Sequence, residues 1–114
     1  MTINTDFFLI KDQIGGFHKI NYFEILYIKS VGNYLKFATI QGETTTYGSL
    51  QSLQDILRQD ARFMRIHRSY IISLVHIEHI SSMEITIGQT KVPIGKKFLE
   101  ELKSGFIQTY LLNI

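Results

Sequence analysis

The chain has 114 residues, 45% of them hydrophobic, and a formal net charge of +2. That length sets one domain spanning residues 1–114, able to bury roughly two-thirds of its unfolded surface, and the apolar content argues against disorder. There is no cysteine, which excludes disulfides, thiolate metal sites and cysteine nucleophiles and suits a reducing, cytoplasmic setting.

The opening residues 1–6 have no basic start and no long apolar run, so they do not read as a signal peptide. Runs such as Phe7-Phe8-Leu9-Ile10 are too short to span a bilayer. Phe7–Lys11 reads as a strand, Gly15-Gly16 as a turn and 17–20 as the returning strand. Ile25–Val31 and 34–40 are rich in Ile, Tyr, Phe and Leu. Gly32-Asn33 between them suits a tight hairpin, because both residues tolerate positive φ. A turn at 41–43 leads to the β-branched strand 44–47.

Ser49 then has the chemistry of a helix N-cap. Leu50, Leu53, Ile56 and Leu57 fall on one helical face, with Gln51, Gln54, Asp55 and Arg58 outward, and the helix is expected to end near Gln59-Asp60. Residues 75–80 read as a strand. Met83, Ile85 and Ile87, then Thr90, Val92 and Ile94, alternate with polar residues, which predicts one buried and one wet face. Pro93 lacks an N–H and belongs on an edge or facing away from the ladder. A second helix is expected after Gly95, with Gly105 as its stop, followed by an apolar tail over 104–114. The fold class is mainly β with one or two short helices, an α+β chain.

The charges are unevenly placed. No acid occurs between Asp60 and Glu78, a window holding Arg62, Arg65, Arg68, His67 and His76. A second acid-free window, 85–99, holds Lys91, Lys96 and Lys97. Cations without carboxylates are what a polyanion contact needs. As one regular strand, 63–72 would have no clean apolar face, so the strand is expected to stop near His67 and the chain to bend at His67-Arg68-Ser69. A bend exposes side chains and backbone N–H groups together. There Arg68 can bridge a phosphate or a guanine edge, and Ser69 can donate to a phosphate. His67 beside Ile66 reads first as a residue that orients backbone. Lys96-Lys97 would occupy the first turn of a helix, where the dipole disfavours cations. That placement fits either a phosphate site, gaining from the helix N-terminal N–H groups, or two solvated lysines. Asn33 at a hairpin apex fits an adenine contact or ordinary turn chemistry. His67, His76 and His79 have no zinc spacing, and no nucleophile elbow, phosphate loop or paired-carboxylate arrangement is present. Neither an enzyme nor a cofactor is expected.

Four blocks resemble one family in order and spacing. These are Ile25-Leu26-Tyr27-Ile28-Lys29-Ser30-Val31-Gly32-Asn33-Tyr34, the helix start Ser49-Leu50-Gln51-Ser52-Leu53, Phe63-Met64-Arg65-Ile66-His67-Arg68-Ser69-Tyr70-Ile71-Ile72, and Val92-Pro93-Ile94-Gly95-Lys96-Lys97-Phe98. Together they resemble the LytTR DNA-binding domain over about 7–103. The resemblance implies an elongated β fold of short antiparallel sheets that reaches successive major grooves of double-stranded DNA through loops. It implies a transcription regulator of the response-regulator output type, either free-standing or joined to a receiver domain in a longer chain. It also implies a homodimer on repeated half-sites; no membrane association is expected, given the short apolar runs. The contact residues it carries onto this chain are Asn33, Arg68, Ser69, Gly95, Lys96 and Lys97, and Arg65 and His67 of the same basic stretch complete the candidate DNA-binding set. In this arrangement Asn33 and Arg68 lie nearest base edges, with phosphate anchoring by Lys96, Lys97 and either Arg65 or Arg62. Lys29-Ser30 departs from the family's usual Glu-Ala, and Lys96-Lys97 replaces an arginine pair, which favours point-charge phosphate contact over bidentate reading. The rival readings are a protein-interaction module using the strand at 90–94 or the apolar tail, and an RNA binder that stacks bases on exposed aromatics.

Overall fold

The computed structural model describes residues 6–114, so the reading of residues 1–5 lies outside it. The chain runs β1 (Phe7–Lys11), β2 (Phe17–Asn21), β3 (Ile25–Val31), β4 (Tyr34–Thr39) and β5 (Gly42–Tyr47), then α1 (Leu50–Leu57). It continues through β6 (Phe63–His67), β7 (Tyr70–Ser73), β8 (Ile77–Ile80), β9 (Glu84–Ile87) and β10 (Thr90–Pro93) into α2 (Lys96–Leu102). The fold is mostly β, built of short antiparallel sheets with few helices, and elongated at 51 × 37 × 25 Å.

A five-stranded sheet of order β5-β4-β3-β7-β6 forms the middle layer. Because strand side chains alternate, its central strands bury both faces. Ile28 and Ile71 turn to one side, against Leu50, Leu53 and Leu57 of α1 and Ile10 and Ile20 of the β1–β2 hairpin. Tyr27, Ile66 and Ile72 turn to the other, against Ile85, Ile87 and Val92 of the β10-β9-β8 sheet and Leu102 of α2. That double burial explains the near-continuous apolar run of β3.

Local expectations hold where local chemistry decides. The Ser49 hydroxyl accepts the Ser52 N–H at 3.1 Å, capping α1. Pro93 lies in β10, an edge strand, where its missing N–H breaks no interior ladder. The β3–β4 turn takes positive φ only at Gly32, +58°, and not at Asn33. One positive φ at the first central position is the type II′ pattern.

Three expectations give way. The strand expected at 75–80 begins at Ile77, because Leu74–His76 is a 3-10 turn. The Leu74 N–H binds Arg62 O at 2.7 Å, and the His76 ring bonds to Phe23 O at 2.5 Å, holding that turn closed. Gly105 does not end the helix. A π-helical segment, Lys103–Ile107, carries it on to Gln108–Tyr110. Phe106 and Ile107 pack on the second core, and that packing outweighs the cost of about 1 kcal/mol for glycine in a helix. Ile56, expected inward, is 66% exposed: it lies a quarter-turn off the Leu50-Leu53-Leu57 stripe.

Candidate nucleic-acid interface

Hairpin pairing puts the β3–β4 tip at Gly32-Asn33 and the β6–β7 tip at Arg68-Ser69 at one end of the central sheet. β3 pairs antiparallel with β7, Lys29 opposite Tyr70, and the Ser30 N–H donates to Ser69 O at 2.9 Å. The start of α2 joins them, because the Gly95 N–H donates to Ile66 O at 2.8 Å. A Cβ added at Gly95 would stand 3.0 Å from the Phe98 ring and 3.5 Å from His67 Cα, so this junction is tight. Arg68 and Lys97 line the same open cleft of about 450 Å³ with Gln51, Gln54, Arg65 and Glu101. The fold therefore brings three separate stretches of sequence to one end. Asn33, Arg68, Lys96 and Lys97 are exposed there, while His67, Ser69 and Gly95 are half-buried.

The residues divide by what they touch. Arg65 is half-buried and its donors are engaged by neighbours. It donates to Arg68 O at 2.7 Å, His67 O at 3.3 Å, Gln54 Oε1 at 2.9 Å and Gln51 Oε1 at 3.3 Å. It thus braces the 67–69 turn from beneath and ties it to α1. His67 Nδ1 accepts the Ser69 N–H at 3.0 Å, and its ring packs edge-on against Tyr70. Accepting at Nδ1 fixes the tautomer with the proton on Nε2. Burial first, then the Arg68 and Arg65 cations, hold the imidazole below its ordinary pKa and keep it neutral. Arg68, by contrast, makes no ion pair among the described residues and projects from a turn that Arg65 and His67 hold in shape. Lys97 lies 5.6 Å from the Phe98 ring centroid and is otherwise exposed.

Arg62, expected as one possible phosphate anchor, is spoken for. Its guanidinium donates to both Asp60 carboxylate oxygens, at 2.9 and 2.7 Å, reaches Asp6 at 3.4 Å, and lies over the Tyr22 ring. Asp60 is held below the usual carboxylate range mainly by Arg62, and Arg62 is raised further in turn. Asp60 stands just outside the acid-free window, so counting charges inside the window hid the pair.

Helical spacing places Gln51 and Gln54 on the wet face of α1, yet they are partners of Arg65. Lys29 departs from the family pattern. It is half-buried over the Tyr70 ring, 5.6 Å from the centroid, opposite the residue that follows Ser69. Its cross-strand neighbour Lys36 is neutralised by Glu43 at 3.1 Å, leaving Lys29 as a further cation beside the tips. The one clue in sequence was that lysine itself. Tyr34 and Tyr47 stack at 4.3 Å beside Asn33, whose carbonyl accepts the Gly48 N–H at 3.2 Å.

Comparisons with known proteins bear on the family and the fold. The LytTr DNA-binding domain family model matches residues 15–106. The sensory transduction protein LytT of Bacillus anthracis is 31% identical over 90 residues, which is 74% of this chain and 36% of the relative. Its Bacillus cereus counterpart is 30% identical with the same coverage. The chain thus spans about a third of the length of the curated relatives it matches. Among solved structures, the LytTr DNA-binding domain of a putative methyl-accepting/DNA response regulator from Bacillus cereus superposes with a TM-score of 0.75. It is 20% identical, and the match covers 89% of this chain and 96% of that one.

Proposed function

Because the chain belongs to the LytTR family of DNA-binding domains, we propose that it is a sequence-specific double-stranded DNA-binding transcription regulator, one domain that reads the major groove through the three tips at the end of its central sheet. The observation that carries the reading is the contrast within one cationic stretch: Arg68 is exposed and, among the described residues, has no carboxylate partner, on a turn fixed by Arg65 and His67. The held backbone of the turn lowers the ordering cost of contact, and the exposed guanidinium can form two parallel bonds to a guanine edge. Asn33 and Ser69 flank it. Lys96, Lys97 and Lys29 supply point charges for phosphates on either side. The relatives named as sensory transduction proteins, of whose length the match covers 36%, support a role as the output part of a signalling regulator in the cytoplasm, either free-standing or joined to a receiver domain. No described helix is long and apolar enough to cross a membrane. Two copies would occupy repeated half-sites. No step of this reading calls for catalysis or a cofactor.

Selection of bound duplexes from a random library, followed by salt-titrated mobility shifts, tests the proposal. A recovered motif with repeated half-sites, bound more tightly than mixed duplex, is the expected result. No shift of any duplex at low salt would sink it and leave the protein-interaction reading. Preference for single-stranded RNA over duplex in competition would favour base stacking instead.

A further inference from the structure

The central sheet has the order β5-β4-β3-β7-β6, so the β6–β7 tip lies to one side of Asn33 and the β4–β5 edge to the other. On that second side Tyr34 follows Asn33 directly and is paired across the strands with Tyr47. Their rings stack at 4.3 Å with 25° between the planes, and the Gly48 N–H ties the end of β5 to Asn33 O. Neither ring is part of either core, and Tyr47 is 70% exposed. The pair forms a plate with an apolar face and a polar end, both open to contact.

Across an open cleft of about 620 Å³ from that plate stands the β1–β2 turn, with Lys11, Asp12 and Gln13 on its wall. Asp12 holds the turn in shape. Its Oδ1 accepts the Ile14 and Gly16 N–H groups at 3.0 and 2.7 Å, and its Oδ2 lies 3.5 Å from His18 Nε2. A Cβ at Gly16 would stand 2.7 Å from that same Oδ2, so glycine lets the carboxylate fold into its own turn. The one carboxylate lining the cleft is therefore engaged, and its side chain is only 20% exposed. Lys11 is exposed and makes no ion pair among the described residues. The remaining lining groups include the Gln13 amide, the Thr46 hydroxyl and the two phenols, all of which can donate. A hydrogen bond with Tyr47 is the first cause holding the Tyr34 phenol above its ordinary pKa, so Tyr34 is the donor of the pair and the Tyr47 O–H is left for a further acceptor.

A cation, hydroxyl donors and aromatic faces, with the local carboxylate turned away, suit a phosphodiester and its sugar. We propose that this cleft seats the DNA backbone on the outer side of the Asn33 tip, with Lys11 and the Tyr47 hydroxyl on phosphate and the ring plate against the deoxyribose. The inference rests on the duplex reading above and adds the β1–β2 turn to it as a fourth point of contact. The row of contacts then extends one strand spacing past β4, about 4.8 Å, which corresponds to about one further phosphate on a strand. Backbone contacts carry no direct sequence information, so the cleft sets affinity and register and leaves base preference to the tips.

Fluorescence anisotropy on the duplex recovered by selection, with ethylation interference to map the contacted phosphates, is the test. Lys11→Gln should weaken all duplexes alike, roughly fivefold near physiological salt, and make the log affinity against log salt line shallower by about 0.9. Tyr47→Leu should weaken binding by a similar factor. In both variants interference at the outermost phosphate on the Asn33 side should vanish, while the phosphates around Arg68 keep theirs. Lys19→Gln removes the same charge from the same hairpin, but its ammonium lies over the Phe7 ring, 4.5 Å from the centroid, and the slope and interference pattern should not change. Lys11 is a solvated side chain, so its result stands even where Tyr47→Leu loosens the edge strand. Lys11→Gln and Tyr47→Leu variants that bind like wild type, with the same interference pattern, would overturn the proposal and leave the duplex reading standing. An equal loss from Lys19→Gln would reduce the effect to net charge and overturn it as well. A larger loss from Tyr47→Leu on single-stranded than on duplex DNA would assign the plate to base stacking, again overturning it. A wild type that binds no duplex would fail the duplex reading itself, and this inference with it.

Discussion

Arg62 and Arg68 come from the same acid-free window and stand at the two ends of β6, yet the fold gives them opposite work. Arg62 is locked between Asp60 and Asp6 over the Tyr22 ring, at the end where the first hairpin meets the sheet. Arg68 stands exposed at the other end, on a turn whose backbone is held by neighbouring side chains. A cation's availability is therefore set by the carboxylates that tertiary structure brings to it. The count of acids along the chain is a poor guide, because one acid two residues upstream and another far away in sequence suffice to consume a guanidinium.

The largest expected effect tests the free end. Arg68→Ala should cost roughly 1–3 kcal/mol in binding to a selected site and relax preference at one base position. Fluorescence anisotropy would read the affinity and thermal unfolding should not move; equal affinity would break the comparison. Next, Arg62→Met should cost about 1–2 kcal/mol of stability, seen as a lower urea midpoint, while DNA affinity stays put. Weaker binding without a stability change would reverse the assignment of the two ends. Lys97→Ala should weaken all duplexes alike, by about 1 kcal/mol near physiological salt, and make the log affinity against log salt line shallower by about 0.9. A sequence-dependent loss would mean Lys97 reads bases.

The smallest effect is in pH. His67 has a lowered pKa in the folded protein, so the unfolded chain protonates first as pH falls. Its contribution to stability is fully present above about 6.5 and is lost as pH drops below that value. Protonation also removes the acceptor for the Ser69 N–H. The urea midpoint of wild type should be lower on the acid side of that pH than above it. A His67→Gln variant should lack that component, and an identical pH profile in the variant would rule His67 out as its source.

Much of the fold was legible in the sequence, for local reasons. Ser49 caps its own helix, Gly32 makes its own turn, and Pro93 restricts its own strand. The bend between His67 and Tyr70 was legible too, because a broken alternation at 63–72 marks a bend whatever surrounds it. What escaped depends on partners far along the chain. Gln51 and Gln54 look like solvent-facing helix residues until Arg65, 14 and 11 positions on, reaches them. Asp6 meets Arg62 across 56 residues. Gly105 reads as a stop until Phe106 and Ile107 find the second core. Ile56 fails differently, since helical spacing alone cannot say how wide the buried stripe is.

Arg65 has one more consequence. Its side chain is committed to two carbonyls and two glutamines, but these partners are neutral, so its charge is still felt outside the molecule. A fixed charge behind the contact turn attracts a polyanion at a distance without itself displacing an ion from a phosphate. Under the proposed DNA reading its influence belongs to the encounter step, the rate at which duplex arrives, and that of Arg68 to how long it stays.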